Sequence, residues 1–302
     1  MILAYFYEKS SNGVKYREMQ PFIDHSITTS FVEYLNYKIL TRGTAFANTN
    51  VTFYPSSGQV ASGYAIYASP YKGFVADVGA TGAIIPSGIS GVGGFIVRGT
   101  SGCSIDWNNG RVIFSGAANN LTNLSGRFAI KDFNILYSPK DEESLLFDTK
   151  FVLNNPTVPQ TLTGLAENQI TYPAIIVKYY PGNNKPFCFG GTEESQSEFR
   201  CIVVSDNQFK LDGACGIIRD LARSYFGLLA PHETPFNYLG DIKSGNTYNY
   251  TGLAYVKSGE NIVMINDVFI SPLNAKIAAD INPNAKIAFC DLQIRPVRNT
   301  RG

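Results

Sequence analysis

Short runs of strand-forming residues broken by glycine are the feature that most restricts what this chain can fold into. Between residues 45 and 137 there are seven such runs, at 51–54, 63–68, 73–78, 93–97, 104–107, 111–114 and 128–137. Short strands at this spacing, separated by turn residues, are typical of a β-sandwich or barrel. The first part of the chain is therefore predicted to be β-rich.

The firmest turn signal in this region is Asn109-Gly110. Both residue types accept the positive φ angles of a two-residue type I′ turn, so the runs 104–107 and 111–114 are predicted to pair as a tight hairpin. An earlier hairpin is predicted over residues 1–23, around turn residues at 10–13.

One helix is predicted within the β-rich part. Ser30 and Glu33 stand at the spacing of a capping box, which predicts that the helix begins at Ser30. Phe31, Leu35 and Ile39 form an apolar stripe along one side. Basic and glycine residues at 42–43 predict its end.

Residues 138–302 show a mixed pattern of helices and strands. Ser138-Pro139 followed by acidic residues predicts a helix that ends near residue 154. Strands are predicted at 170–180, 186–189, 198–204, 253–256, 262–270 and 287–294. In the run 198–204, Phe199, Cys201 and Val203 alternate with other residues, which is typical of a half-buried strand.

A second helix is predicted after a cap at Ser205 or Asp206. Apolar residues then recur at alternating four- and three-residue spacing; they are Leu211, Cys215, Ile218, Ala222, Tyr225 and Leu229. The sequence thus predicts a mainly β protein of two domains. Residues 1–137 form a β-rich sandwich- or barrel-like domain with one early helix, and residues 138–302 form an α+β domain with helices on one face of a sheet.

The charge balance argues against several classes of partner. The formal net charge is +1, so the chain has no global field that would recruit nucleic acid or an anionic membrane. No apolar run approaches the roughly 20 residues of a transmembrane helix. Charged residues make up 16% of the chain, against about 25% in an average soluble domain. Burial in subunit contacts and an ordinary Ser/Thr/Asn-rich β surface both explain this value.

The residues that usually carry catalysis or metal binding are scattered. His25 and His232 lie in different halves. The cysteines form no C-x-x-C pair and are interpreted as buried small hydrophobic residues; they are Cys103, Cys188, Cys201, Cys215 and Cys290. Ser90 misses the G-x-S-x-G spacing by one residue. We therefore expect no metal, no cofactor and no enzymatic activity.

Two segments are predicted to contact neighbouring subunits. The first is a glycine-rich loop, interpreted as a flexible or tightly turning contact arm rather than a phosphate cradle; it comprises Gly88, Ile89, Ser90, Gly91, Val92 and Gly93. The second is the basic tail with Arg295, Arg298 and Arg301, for which a solvated terminus is the competing interpretation.

Two passages carry a resemblance to a known group of proteins. Residues 198–206, Glu-Phe-Arg-Cys-Ile-Val-Val-Ser-Asp, lead into a long amphipathic helix within a helix, three-strand, helix, strand order over 139–270. This arrangement resembles the tail-terminator or tail-completion subunits of tailed bacteriophages. Residues 99–114, which contain the Asn109-Gly110 turn, resemble hairpins of phage neck and tail structural proteins.

The resemblance implies a structural role in a virion assembled in the host cytoplasm. Subunits of that family form a ring, commonly a hexamer, that joins or closes the tail near the head. Their partners are further copies of themselves and neighbouring neck, tail tube or sheath proteins, and they have no catalytic residues. The β-rich first part is a departure from that family, since simple tail terminators are much shorter proteins.

Two other functions remain open from the residues alone. The β-rich part would serve as a receptor- or carbohydrate-binding module of a tail tip or baseplate if its loops expose aromatic platforms. A hydrolase would need converging carboxylates, for which the candidate pairs are Asp106 with Asp132 and Glu193 with Glu194.

Overall fold

β-Sheets dominate the computed structural model of this chain. The structure describes residues 20–42, 45–56, 63–99, 102–115, 121–148, 151–153, 165, 169–182, 184–186, 192–229, 233–243, 247–253 and 262–299. The prediction of a mainly β protein with a few helices is confirmed. The hairpin predicted over residues 1–23 falls outside the described residues, apart from residues 20–23, which are helical.

Residues 46–131 form two four-stranded sheets. The strands are β1 Phe46–Thr52, β2 Tyr54–Pro55, β3 Tyr64–Ala68, β4 Gly88–Gly91, β5 Gly94–Val97, β6 Cys103–Asp106, β7 Arg111–Ser115 and β8 Ser125–Lys131. One sheet has the order β1-β8-β4-β5 and the other the order β2-β3-β7-β6. The rings of Phe53, Phe74, Phe128 and Trp107 pack together in the core of this region. Closure into a sandwich or barrel stays a prediction.

The hairpin β6–β7 is confirmed, but its predicted turn is wrong. Asp106 pairs with Arg111, so the loop has four residues rather than two, and Gly110 has a positive φ of 62°. The Asp106 carboxylate accepts hydrogen bonds from the Asn109 backbone and side-chain amides at 3.0 and 2.8 Å. These bonds stabilise a wider loop than a type I′ turn. The run 73–78 is also not a strand, since it makes only an isolated bridge at Phe74.

A larger sheet of eight strands occupies the second half of the chain. The remaining strands are β9 Asn134–Tyr137, β10 Phe151–Leu153, β11 Ile170–Tyr172, β12 Ala174–Tyr180, β13 Asn184–Pro186, β14 Thr192–Ser195, β15 Ser197–Ser205, β16 Tyr225–Gly227, β17 Ile262–Pro272 and β18 Lys286–Asn299. The large sheet has the order β13-β14-β18-β15-β12-β9, with β17 on the other side of β18 and β16 beside β17. Strands β10 and β11 form a separate parallel pair.

In the described part of the chain, three α-helices accompany the sheets: α1 Gln20–Leu40, α2 Gln208–Arg219 and α3 Ala275–Ile281. Helix α1 begins ahead of the predicted start at Ser30, and the capping box is not used. Ser30 is instead buried within the helix, where its hydroxyl accepts from the Leu229 backbone N–H at 2.8 Å. Phe31, Leu35 and Ile39 are buried as predicted. Contacts along most of α1 stabilise it without that local cap.

Helix α2 is shorter than predicted. Asn207 caps it by accepting from the Lys210 backbone N–H at 2.8 Å, and it ends at Arg219 rather than near Leu229. Arg223 has a positive φ of 61°, which breaks the helical path before β16. The stripe Leu211, Cys215 and Ile218 is buried as predicted. The predicted stripe continued to Tyr225 and Leu229 because Tyr225 of β16 and Leu229 of the segment after it happen to match the helical spacing.

The segment after Ser138 also differs from its prediction. Helical structure is confined to residues 142–148, with a π-helical part at Ser144–Asp148, and residues 151–153 form a strand instead of continuing a helix. Leu145 and Leu146 of this helix lie in a second core with Ile176, Ile202 and Val204. Helices α1 and α2 pack on the opposite face of the sheet. The prediction that helices cover only one face is therefore wrong.

The predicted division into residues 1–137 and 138–302 is crossed by two elements. Strand β9 belongs to the large sheet, where it pairs in parallel with β12. Helix α1 contacts β9, β16 and α2, and Phe31 stacks on Phe199 of β15 with ring centroids 4.1 Å apart. Whether the two ranges fold as separate domains stays a prediction.

Candidate functional site: the open face of the large sheet

Alternation along β15 separates two different sheet faces. Phe199, Cys201 and Val203 point to the core formed with α1 and α2. Glu198 and Arg200 point to the other side and are partly exposed. In an antiparallel pair, directly opposite residues lie on the same face of the sheet. The pairing register therefore shows which residues of the neighbouring strands share a face with Arg200 and which share one with Phe199.

We call the part of the second side that no described helix covers the open face. Its residues are Tyr180 of β12, Glu198 and Arg200 of β15, Asp291, Gln293 and Arg295 of β18, Met264 and Phe269 of β17, and Tyr225 of β16. Further along the same side, the sheet is covered by the 142–148 helix and by Ile281 of α3. The open face therefore begins where this cover ends.

A charged network lies at the centre of the open face. Arg200 makes a two-pronged contact with Asp291, with Nε–Oδ1 and Nη2–Oδ2 distances of 2.6 and 3.0 Å. Its Nη1 also donates to Glu142 at 3.1 Å. The hydrogen bonds to Asp291 raise the pKa of the Arg200 guanidinium, which stays charged. This network fixes side chains that would otherwise be free to move at the surface.

Tyr180 extends the network to the edge of the sheet. Its hydroxyl donates to Glu142 Oε1 at 2.6 Å. Partial burial and this bond raise the pKa of Tyr180 to about 12, so the hydroxyl remains a donor. The ring of Tyr180 lines a surface cavity of about 290 Å³ together with Glu198, Gln293 and Arg295. The open face therefore combines a shallow cavity with ordered charges.

Apolar side chains occupy the other end of the open face. Tyr225, Met264 and Phe269 are 65%, 43% and 56% exposed. Tyr225 pairs with Met264 on β16–β17, and Met264 pairs with Arg295 on β17–β18. Tyr225, Met264 and Arg295 therefore form a row across three strands, and Phe269 lies further along β17, opposite Asp291. Exposed apolar groups next to ordered charges are typical of protein contact surfaces.

The predicted glycine-rich arm forms a second exposed apolar surface. Residues 88–93 are not a long flexible loop, because β4 and β5 pair from Gly88–Val97 to Gly91–Gly94 and leave a two-residue turn at Val92-Gly93. Ile89 of β4 is fully buried, whereas Val92 and Phe95 are 72% and 58% exposed. Strand β5 is the edge of its sheet. The short hairpin agrees with the tightly turning alternative of the prediction, and its contact with another subunit stays a prediction.

The basic tail is also more ordered than predicted. Arg295 and Arg298 lie in β18 and pair with Met264 and Glu193, so the backbone is part of the sheet and is not a solvated terminus. Arg295 belongs to the open face and lines its cavity. Arg301 lies outside the described residues. The structure therefore places Arg295 with residues that were not predicted as contacts and places Gly88–Gly91 in a different sheet.

The carboxylates considered for hydrolysis have separate partners. Asp106 is buried and bonded to Asn109, and burial raises its pKa. Asp132 lies 3.2 Å from Lys210 of α2 in an ion pair. Glu193 and Glu194 are consecutive residues of strand β14. His25 is exposed on α1.

A cluster of charged and phenolic side chains is buried between α1 and β8. Glu33 of α1 accepts from the Tyr248 hydroxyl at 2.9 Å. Burial raises the pKa of Glu33, although the positive charge of Lys131 opposes this effect. Burial likewise lowers the pKa of Lys131 to about 8, opposed by Glu33 and Asp77. The Tyr250 backbone N–H bonds to Asp77 at 3.4 Å. This cluster joins α1 to residues 77, 131 and 248–250.

Sequence reasoning missed Tyr225, Met264, Phe269 and the Arg200–Asp291 pair. Residues 262–265 of β17 read Ile-Val-Met-Ile, which has no polar contrast to show which side is exposed. Tyr225 matched a helical stripe by chance. The pairing of Arg200 with Asp291 depends on β15 meeting β18 across 91 positions of sequence. Only the strand alternation at 198–203 could have placed Arg200 on a surface.

No protein family model matches the chain, and no curated protein matches it. Among the described residues, no three histidine, cysteine, aspartate or glutamate side chains are grouped so as to hold a metal ion. None of the helices in the described part of the chain has the length and apolar character to cross a membrane.

Proposed function

We propose that this chain is a virion structural protein of a tailed phage, a subunit of a homo-oligomeric ring at the head–tail neck or at the tail end. The observation that carries the proposal is the presence of two exposed apolar surfaces on different sheets. One is the β4–β5 hairpin with Val92 and Phe95, and the other is the open face with Met264. A closed ring requires two unlike patches on every subunit, because each contact joins one patch to the other.

The chemistry of the two surfaces supports their pairing. The hairpin turn is apolar and contains no charged side chain between residues 88 and 97. The open face offers the exposed apolar side chains of Tyr225, Met264 and Phe269 beside an ordered charged network. A buried apolar centre with a polar rim is the usual anatomy of a stable protein interface. In the ring, the hairpin of one subunit lies on the open face of the next.

The resemblance of residues 99–114 and 139–270 to phage neck and tail proteins supplies the biological setting. In that setting the ring is a hexamer, its neighbours are neck, tail tube or sheath proteins, and assembly occurs in the host cytoplasm before incorporation into the virion. No nucleic-acid sequence, membrane or cofactor is involved in this role.

The proposal is tested by light scattering after size exclusion and by negative-stain imaging of the purified protein over a range of concentrations. We expect a ring with a central channel. Phe95→Ser and Met264→Ser should each dissociate it, whereas Phe209→Ser should not, because Phe209 is 89% exposed on α2 and belongs to neither surface. A monomer at every concentration would reject the proposal.

Mixing the two variants tests how the surfaces meet. Phe95→Ser keeps an intact open face, and Met264→Ser keeps an intact hairpin. If the hairpin of one subunit contacts the open face of another, an equimolar mixture forms dimers that neither variant forms alone. If each surface contacts its own copy, the mixture contains no such dimers, and the heterologous ring is excluded.

One observation favours the second function, a receptor- or carbohydrate-binding module. Tyr238 is 65% exposed on the 233–243 segment, and its hydroxyl lies 3.5 Å from that of Tyr64. A paired aromatic surface of this kind suits stacking against a sugar ring. Glycan-array binding by the full chain that is lost in Tyr238→Ala would support this function; an array without signal would remove it.

A further inference from the structure

Three buried thiols meet at the centre of the covered side of the large sheet. Cys201 of β15 and Cys290 of β18 are directly opposite each other in the antiparallel pair. Cys215 lies above them on α2, with its Sγ 3.8 Å from the Sγ of Cys290. All three are free thiols in the reduced protein. The sulfur atoms therefore come from three elements that are distant in sequence.

We infer that Cys215 and Cys290 are a redox-active pair, which a two-electron oxidant of the peroxide class converts to a disulfide that joins α2 to β18. Their sulfur atoms are already in contact, so small side-chain rotations bring them to bonding distance. This inference does not depend on the proposed ring, because all three thiols lie inside one subunit.

The geometry distinguishes the roles of the three thiols. Cys290 donates its S–H to Cys215, and this bond lowers the pKa of the Cys215 thiol, although burial opposes it. Burial raises the pKa of Cys201, which disfavours its thiolate. Cys215 also has the only measurable exposure of the three, at 7%, against 0% for Cys201 and Cys290. Cys215 is therefore the sulfur that a peroxide reaches and oxidises first.

The reaction proceeds in two balanced steps. The Cys215 thiolate attacks hydrogen peroxide, forms an S–O bond, and releases hydroxide as the O–O bond breaks, which gives a sulfenic acid. The Cys290 sulfur then attacks the Cys215 sulfur, so that the S–S bond forms and the S–O bond breaks. The leaving hydroxide takes the Cys290 proton as water. In sum, two thiols lose two hydrogen atoms, and one peroxide becomes two waters.

The test treats the full chain with hydrogen peroxide, blocks the remaining thiols with iodoacetamide, and maps the peptides by mass spectrometry without reduction. We expect one linked pair of peptides, one with Cys215 and one with Cys290, about 2 Da lighter than their sum. The number of free thiols falls by two, because Cys215 and Cys290 are consumed. The melting temperature rises on oxidation and returns to its original value with dithiothreitol.

Matched variants assign the pair. Cys103→Ser removes a buried thiol elsewhere and should keep the link, and Cys201→Ser should keep it as well. Cys215→Ser should abolish it, with circular dichroism to show that the variant is folded. The wild-type map decides the question even if a variant fails to fold. Three outcomes would each overturn the inference. They are a link between Cys201 and Cys290, a sulfinic acid on Cys215 without a link, and an unchanged number of free thiols under conditions that oxidise a reference dithiol.

Discussion

The two sides of the large sheet share the same strands but have different cover, and their side chains differ accordingly. On the covered side, Phe199 and Leu292 pack under α1 and α2 without exposure. On the open face, the intervening residues Arg200 and Asp291 form an ordered ion pair beside exposed apolar groups. One strand therefore contributes to stability through alternate residues and to a contact surface through the others.

Charged residues also differ between the interior of the molecule and the open face. The cluster of Glu33, Lys131 and Asp77 is buried beside α1. Removal from water raises the pKa values of Glu33 and Asp77 and lowers that of Lys131, which favours the neutral form of each group. On the open face, Arg200 is about one-third exposed in its side chain and keeps its charge easily. Buried charges should therefore be costly to unbalance, while surface charges should be replaceable at small cost.

The largest expected effect comes from the covered side. Phe199→Ala removes a fully buried ring that stacks on Phe31, and it should lower the free energy of unfolding by about 3–5 kcal/mol. Guanidinium unfolding measures this value. Phe209→Ala, at an exposed position on α2, should change stability by less than about 0.5 kcal/mol. Equal effects of the two variants would contradict the distinction between the covered side and the surface.

Lys131→Met should have the next largest effect. It leaves the carboxylates of Glu33 and Asp77 buried without the positive charge that now attracts both, so we expect a loss of about 3 kcal/mol at neutral pH. Urea unfolding compared with Lys276→Met, an exposed lysine on α3, gives the contrast. A loss no larger than that of the control would mean that the cluster is not energetically linked.

The pH dependence of Glu33→Gln tests the same cluster from the acid side. Because the folded protein raises the pKa of Glu33 above its ordinary 4.5, the folded state binds this proton more tightly than the unfolded state. The contribution of Glu33 to the stability of the wild-type protein is therefore present at low pH and is lost as the pH rises through its raised pKa. In Glu33→Gln the amide oxygen still accepts the hydrogen bond from Tyr248, but the side chain does not titrate, so this contribution does not change with pH.

Relative to wild type, Glu33→Gln should therefore be more stable at about pH 7 than at about pH 4. Asp77, whose pKa is also raised by burial, is present in both proteins, so its direct contribution largely cancels in the difference. Thermal unfolding at the two pH values measures the change. A difference that does not vary with pH would show that Glu33 titrates normally.

A smaller effect is expected at the centre of the open face. Arg200→Gln loses the ion pairs to Asp291 and Glu142, and because the side chain is partly exposed, the cost should be about 1 kcal/mol. Added salt should reduce the difference from wild type. A cost comparable to that of Lys131→Met would place this network among the buried charges and weaken the comparison of the two sides.

The smallest effect on folding is expected for Met264→Ser. Met264 is half exposed, so the free energy of unfolding of the dilute monomer should change by less than about 0.5 kcal/mol. Its effect should appear in self-association instead. Denaturant curves recorded at low and high protein concentration separate the two. A large loss at low concentration would mean that Met264 supports the subunit's own fold.

Features that depend on neighbouring residues could be predicted from the sequence, while those that depend on distant partners could not. The β6–β7 hairpin and the buried stripe of α2 follow from residues close in the chain, and both are present. The start of α1 could not be predicted, because burial along the helix replaces the cap at Ser30. The end of α2 was obscured because Tyr225 continues a helical spacing while lying in β16.

The candidate site shows the same limit. The sequence indicated residues 88–93 and Arg295 as candidate contact residues. It left a flexible or tightly turning loop open for the first and a solvated terminus for the second, since glycine and terminal arginine patterns carry no information about sheet pairing. Strand β4 pairs with the adjacent β5 through a two-residue turn and with the distant β8, and β18 bonds to β14, β15 and β17.

By itself, then, the sequence determined that this is a mainly β protein, that the residues of β15 alternate between two environments, and that α2 buries one face. Short-range periodicity is sufficient for these features because one strand or helix contains the whole signal. Only the tertiary structure decided which face of the large sheet remains open, because cover by α1, α2 and the 142–148 helix depends on long-range packing. The same packing brings Cys215 to Cys290 and Arg200 to Asp291.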